Sequence, residues 1–298
     1  MTNTTEIRRV AVVGTGRMGA AMVGRLCDAG FDVVVYNRTQ AKSAAVADSH
    51  GATVSPSPRE AVAAADAVLV SLADDDALRD TYGGNDGIIA GLHAGCVVAD
   101  TSTVAPHTVR ELAQDVRALG ADLLDTPVSG SVSTVEQGAL TIMVGGDVDA
   151  LDRVQPMLLP LAARIVHLGP IGSGAAMKLA VNGVIHALNL AVAEALILAE
   201  RAGLDREAAY DVLAGSAVGA PFVQYKRAAF LTPDDVPVAF SLDLVAKDLD
   251  LAAALAAEVG APVAQLPANR DVVARALDAG YGAADLSALA VFLRGLET

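Results

Sequence analysis

The stretch VAVVGTGRMG, Val10 to Gly19, leaves a chain few folds to choose from. Its first four residues are alanine and valines without a polar interruption. Such a run fits a strand buried on both faces. Glycines then fall at 14, 16 and 19 in the pattern G-x-G-x-x-G, where the strand ends and a helix begins. A strand turned into a helix by spaced glycines opens a βαβ unit. The pattern alone is weak, and its plain alternative is an ordinary strand-to-helix turn.

The rest of the first half strengthens it. FDVVVYN (Phe31 to Asn37), AVLVSL (Ala67 to Leu72) and GCVVADTS (Gly95 to Ser102) repeat the short β-branched run. DLLDTPVSG, TIMVGG and RIVHLG continue the series as far as Gly169. Alanine-rich segments with helical spacing separate the early runs. This alternation predicts an α/β fold with a parallel, doubly wound sheet of Rossmann type. After Gly169 the strands stop. Ala175 to Gly203 reads as one helix of nearly 30 residues, about 43 Å long at 1.5 Å per residue. Ser241 reads as the N-cap of a later helix with Phe240 as its staple residue, and Gly260 and Pro262 end that helix. The expected domains are a dinucleotide-binding domain, 1–169, and an all-helical substrate and dimerisation domain, 170–298, joined by the long helix.

In that context the turn Gly14-Thr15-Gly16-Arg17-Met18-Gly19 predicts a dinucleotide. Glycines allow backbone to approach a pyrophosphate, and the helix N-terminus supplies N–H donors and the positive end of its dipole. An acid at the end of the second strand would bond a ribose 2′-hydroxyl. Here the strand ends in Asn37, Arg38 and Thr39. An amide, a guanidinium and a hydroxyl accept a 2′-phosphate that a carboxylate would repel. NADP(H) is the expected cofactor, with NAD possible. The plain alternative for Arg38 is a solvated loop arginine.

Composition closes off other classes. The 298 residues are 53% hydrophobic and 19% charged, in the globular range. The formal net charge of −14, with no basic cluster, speaks against nucleic acid as a partner. Two cysteines, Cys27 and Cys96, form no C-x-x-C, and five histidines show no ligand spacing, so no metal is expected. The apolar run after Arg8-Arg9 is too short for an export signal, and no span of 18 apolar residues lacks a polar interruption. A cytoplasmic protein without a membrane partner is the expectation.

The separated motifs GTGRMG, DTSTVAP, DTPVSGS…GALTIMVGG, GPIGSGAAMKLAVN and AKDLDLA resemble those of the β-hydroxyacid dehydrogenase family. That family includes 3-hydroxyisobutyrate dehydrogenases and NADPH-dependent glyoxylate/succinic semialdehyde reductases. The resemblance covers nearly the whole chain. It implies that Ser129 and Gly130, with Ser131, hold a substrate carboxylate, and a Ser-Gly-Ser turn with free N–H groups suits that ligand. Many relatives have Gly-Gly where this chain has Gly130-Ser131, and the Gly-Ser form resembles the glyoxylate-reductase branch. The resemblance puts Thr103 at the nicotinamide end, and an N-cap for the helix near Pro106 is its plain alternative.

Lys178 and Asn182 stand at i and i+4 on the long helix and so share a face, expected to look into the cleft where cofactor and substrate meet. A partly desolvated lysine yields its proton more readily, which suits proton transfer. The resemblance makes Lys178 the general acid/base and Asn182 the residue that orients substrate. A snorkelling lysine is the plain alternative. It also makes Lys247 a cofactor contact and Asp248 a support for it or for the substrate. Adjacent residues point apart on a helix, so the two are expected to serve different neighbours. Phe240 is expected to line the substrate pocket or to be only a staple.

Two apparent signals are set aside. Asp74 to Asp76 read as dipole partners at a helix start rather than metal ligands, and His186 reads as a core or interface histidine. The expected activity is NADP(H)-dependent interconversion of a small 3-hydroxy acid, such as 3-hydroxyisobutyrate, or a related hydroxy acid, and its semialdehyde. The alternatives are an imine reductase on the same scaffold, which typically carries Asp or Tyr at the lysine position, and a non-catalytic dinucleotide-binding module. The long helix has too many apolar positions for one stripe, so a homodimer or homotetramer is expected.

Overall fold

The computed structural model describes residues 7–296. Nine strands form one sheet: β1 Arg9–Val13, β2 Asp32–Tyr36, β3 Thr53–Val54, β4 Ala67–Val70, β5 Val97–Asp100, β6 Asp122–Asp125, β7 Val128–Ser129, β8 Leu140–Gly145 and β9 Ala162–Gly169. The order is β3-β2-β1-β4-β5-β6-β8-β7, with β9 also paired to β8. The first six strands are parallel. β6 and β7 both run antiparallel to β8, so the doubly wound sheet has a mixed far edge rather than parallel strands throughout. β7 continues the direction of β6 after two residues, Thr126 and Pro127, and the ten residues 130–139 that join β7 to β8 are fewer than a parallel crossover needs, so β8 returns antiparallel to both.

The helices of this half are α1 Arg17–Asp28, α2 Gln40–His50, α3 Pro58–Val62, α4 Asp75–Tyr82, α5 Ile88–Gly91, α6 Pro106–Ala118, α7 Val132–Glu136 and α8 Val148–Leu158. The sheet is covered on both faces. Val10 and Val12 of β1 belong to one buried cluster, and Ala11 and Val13 to another. That is why the strands read as unbroken apolar runs rather than alternating ones.

α9, Ser173–Arg201, links this sheet domain to an all-helical second part. It begins two residues before the expected start. Leu204 N bonds the Ala199 carbonyl across Gly203, whose φ is +86°, so the glycine does end the helix. The rest comprises α10 Arg206–Gly215, α11 Pro221–Tyr225, α12 Arg227–Leu231, α13 Leu242–Val259, α14 Gln265–Asp278 and α15 Leu289–Arg294. Its core is a separate cluster including Leu196, Tyr210, Phe230, Leu249 and Leu289. The two compact units divide within α9, after Lys178. By length and composition α9 is long and apolar enough to cross a membrane. It nevertheless carries Asn182, His186 and Asn189, all buried, and Asn189 Nδ2 donates to the Leu286 carbonyl at 2.8 Å. Buried, partnered amides are the pattern of a helix packed in protein.

α13 starts after Ser241 and ends at Gly260 in the left-handed region, as the sequence predicts. The Ser241 side chain makes no capping bond; its backbone bridges to Asp285 instead.

Candidate active site

The glycine turn lies where strand order reverses, at the carboxyl ends of β1 and β4. Ligands of open α/β sheets bind at such points. The three glycines have different reasons to be there. Gly14 has φ +98°, and a Cβ on it would meet the Ser71 carbonyl oxygen at 2.2 Å. A Cβ on Gly19 would meet the Gly14 carbonyl oxygen at 2.0 Å, so that glycine lets α1 pack against the turn. Gly16 has nothing within 4 Å. It caps α1 without a side-chain bond, and the first turn of α1 carries no acid. The helix start therefore presents unclaimed N–H groups and its positive dipole end to open space. Thr15 is buried, and its Oγ1 has no hydrogen-bond partner among the described residues. These features fit a pyrophosphate.

Arg17 is exposed and Met18 packs on the apolar cluster below. Asn37 Oδ1 accepts from Thr15 N at 3.1 Å, and Asn37 Nδ2 donates to the Thr39 carbonyl at 3.1 Å. The amide thus ties the glycine turn to the end of β2, while Arg38 and Thr39 stand exposed beside it.

Beyond β5, Ser102 Oγ accepts from Leu72 N at 2.9 Å, and Thr103 is half-buried. α6 is capped by Ala105, with Pro106 as its first residue, so Thr103 is not its cap. Asp74 Oδ1 accepts from Ala77 N at 2.8 Å at the start of α4, and Asp75 accepts from Ala105 N, so these acids serve helix starts. Among the described residues no group of His, Cys, Asp and Glu is placed to hold a metal.

Ser129 ends β7, and Gly130 follows at φ +144°. A Cβ on Gly130 would come within 2.6 Å of Leu140 and 2.8 Å of Thr134, so only glycine fits. Ser131 precedes α7; its N donates to Thr134 Oγ1 at 3.1 Å, and its Oγ lies 2.8 Å from Ser133 Oγ.

Lys178 is half-buried and Asn182 buried, one turn apart on α9. Asn182 Nδ2 donates to Asp248 Oδ2 at 2.6 Å. Asp248 is fully buried and gathers more than the sequence suggests. Lys247 Nζ lies 3.0 Å from Asp248 Oδ1, and His186 Nε2 lies 3.6 Å from Oδ2. Lys247 thus also meets Asp248, its long stem folding back onto the adjacent carboxylate, while Asp248 reaches Asn182 and His186. Burial opposes the charge on Asp248, but its interactions with His186 and Lys247 outweigh burial and hold its carboxyl below the usual range. His186 is a core histidine stacked on Phe240, with ring centroids 5.9 Å apart. Phe240 is half-buried.

Three acids of this framework escape the sequence reading. Asp100 and Asp125 end β5 and β6 and are register partners. Asp100 accepts from Tyr82 Oη and Ser102 N, each at 2.9 Å, and burial pushes its carboxyl up to about 6. Asp125 accepts from Gly172 N and Ala175 N at the start of α9. Asp285 is paired with buried Lys226 and accepts from Ala239 N at 2.9 Å, beside Phe240. The repeated D-T after two strands was the one available signal, for the first two.

The chain matches two family models: the NAD binding domain of 6-phosphogluconate dehydrogenase over residues 9–169, and the NAD-binding domain of NADP-dependent 3-hydroxyisobutyrate dehydrogenase over residues 172–293. It belongs to the β-hydroxyacid dehydrogenase family. The 3-hydroxyisobutyrate dehydrogenase of Mycobacterium tuberculosis, solved with L-serine, superposes with a TM-score of 0.84 at 32% identity, covering 97% of this chain and 100% of that one. The 3-sulfolactaldehyde reductase of Escherichia coli is 30% identical over 280 residues, 94% of each chain. Glyoxylate/succinic semialdehyde reductase 2 of Arabidopsis thaliana is 31% identical over 289 residues, 97% of this chain and 80% of that one. The protein is an NAD(P)-dependent oxidoreductase of small hydroxy acids.

Proposed function

We propose that the protein interconverts a small 3-hydroxy acid, 3-hydroxyisobutyrate or a close relative, and its semialdehyde, with NADP(H) and with Lys178 as general acid/base. The observation that carries the reading is the Lys178–Asn182 pair, one turn apart, with the Asn182 amide fixed by buried Asp248. Because Nδ2 is spent on Asp248, the amide's remaining capacity is directed by that bond, a group set for orienting a polar substrate.

When bound, the nicotinamide ring accepts or gives the hydride. In oxidation, neutral Lys178 Nζ takes the hydroxyl proton; in reduction, the ammonium returns it to the aldehyde oxygen. Ser129 and Ser131 offer hydroxyls and Gly130 its N–H to the substrate carboxylate, the Ser131 N–H being taken by Thr134 Oγ1. Thr103 and Lys247 are assigned to the cofactor. The preference for NADP rests on the end of β2, where no carboxylate stands and Arg38 is free to reach a 2′-phosphate. The family description matched by the second half names an NADP-dependent enzyme, in keeping with this preference.

Initial rates with 3-hydroxyisobutyrate, 3-hydroxypropionate, serine, glyoxylate and succinic semialdehyde, each with both cofactors, test the reading. The expected result is the highest kcat/KM for a 3-hydroxy acid or semialdehyde with the phosphorylated cofactor. Turnover of cyclic imines alone would replace it with the imine-reductase alternative.

A further inference from the structure

We propose that Asp125 is a positioning residue that fixes the height and rotation of α9 and thereby places Lys178. The inference rests on the reading of Lys178 as acid/base. Asp125 is 1% exposed and ends β6. Its two oxygens take two different N–H groups: Oδ1 accepts from Gly172 at 2.8 Å and Oδ2 from Ala175 at 2.7 Å. Both donors lie at the start of α9, where a helix leaves N–H groups without internal partners.

One such bond would let the helix turn about it. Two bonds, to residues 172 and 175, fix axial position and rotation together. Lys178 follows Ala175 by three residues, on the same side of the helix. The surrounding backbone is shaped to admit the carboxylate. A Cβ on Gly145 would stand 2.4 Å from Asp125 Oδ1, and one on Gly174 would stand 2.4 Å from the Met143 carbonyl oxygen and 3.0 Å from Asp125 Oδ2. Gly145 is also the register partner of Asp125. Strand β6, strand β8 and the first turn of α9 thus close on one buried carboxylate. Among the described residues the hydrogen bonds of its side chain go to the start of α9, so its effect on turnover should pass through α9.

Asp125→Asn replaces two acceptors by one acceptor and an N–H₂ group that faces an N–H donor. A displacement of about 1 Å at a reacting group costs up to ~10²-fold. With 3-hydroxyisobutyrate, or the fastest acid of the panel, Asp125→Asn should lose roughly tenfold to a hundredfold in kcat. NADPH affinity by fluorescence titration and substrate KM should change little. Asp125→Glu retains the charge and shifts it by a methylene, so it should lose kcat similarly; it serves if the asparagine variant does not fold. Combined with Lys178→Ala, either change should add no further loss, because residues that act as a unit are not additive. Asp125 variants with wild-type kcat, beside an inactive Lys178→Ala, would overturn the inference alone. An additive loss in the double variant, or a loss confined to NADPH affinity, would also overturn it. A fully active Lys178→Ala enzyme would overturn both the inference and the reading beneath it.

Discussion

In the proposed reading the choice of dinucleotide comes down to one exposed side chain, Arg38. Two charge-assisted bonds to a 2′-phosphate, at about 1.5–3 kcal/mol each, exceed a tenfold effect. Arg38→Asp should weaken NADPH by at least that factor and bring NADH level with it or ahead, as read by titration with both cofactors; unchanged NADPH affinity would remove Arg38 from the site. Asp100 makes a second prediction, about stability. Burial raises its carboxyl to about 6, against an ordinary value near ~3.9. Between those values the folded protein keeps a proton that the unfolded chain has lost. Stability therefore falls as pH rises through this window, by about 3 kcal/mol at most, and the cost is fully present above it. Asp100→Asn removes that cost, since its oxygen accepts from Ser102 N and its N–H₂ donates to the Tyr82 hydroxyl. Its Tm relative to wild type should rise between pH 4 and pH 7; a pH-independent difference would show that Asp100 is not the titrating group. Neither Asp100 nor Asp125 was legible in the sequence. A strand-end aspartate before threonine reads as a polar edge, and the donors to Asp125 lie 47 and 50 residues away along the chain. The Asp248 cluster was hidden likewise, because its partner Asn182 is 66 residues distant.

Local physics was enough to read the elements that carry the site. The glycine turn was legible because steric demands on glycine are local: each position is set by the few atoms beside it. The structure adds which glycine does what, and that yields a paired test. Gly16→Ala meets open space, so the Tm should stay unchanged while NADPH affinity collapses, the methyl occupying room needed by the pyrophosphate. Gly19→Ala drives a methyl into the Gly14 carbonyl and should lower the Tm as well. Equal NADPH affinity in wild type and Gly16→Ala would contradict the placement of the cofactor at this turn. The long helix was legible from its length and terminal glycine, but its start was missed by two residues because Ser173 and Gly174 are poor helix formers, flanked by Gly172 and Ala175, whose N–H groups donate to Asp125. The reversal of strand direction at β8 was also missed, since an apolar run carries no sign of which way its neighbour runs.

For the whole molecule, separate motifs along the chain pointed to one family, and the fold agrees with it. Assembly is less constrained. Val184 and Leu198 of α9 are 68% and 73% exposed. We propose that other copies of the chain cover them. Light scattering at micromolar concentration should give a multiple of the 30.2 kDa chain mass; a mass equal to it would contradict this. Substrate choice was not legible, because it depends on a few pocket side chains whose partners no local pattern reveals. The proposed mechanism rests on Lys178, the last residue of the first unit. The decisive measurement is kcat of Lys178→Ala beside its NADPH affinity by fluorescence titration. A loss of about 10²- to 10⁴-fold in kcat with affinity retained is predicted, and Lys178→Arg should not rescue it, since guanidinium cannot take up a proton. A kcat within about threefold of wild type, far inside the range expected for an acid/base, would show that Lys178 is only a snorkelling helix residue.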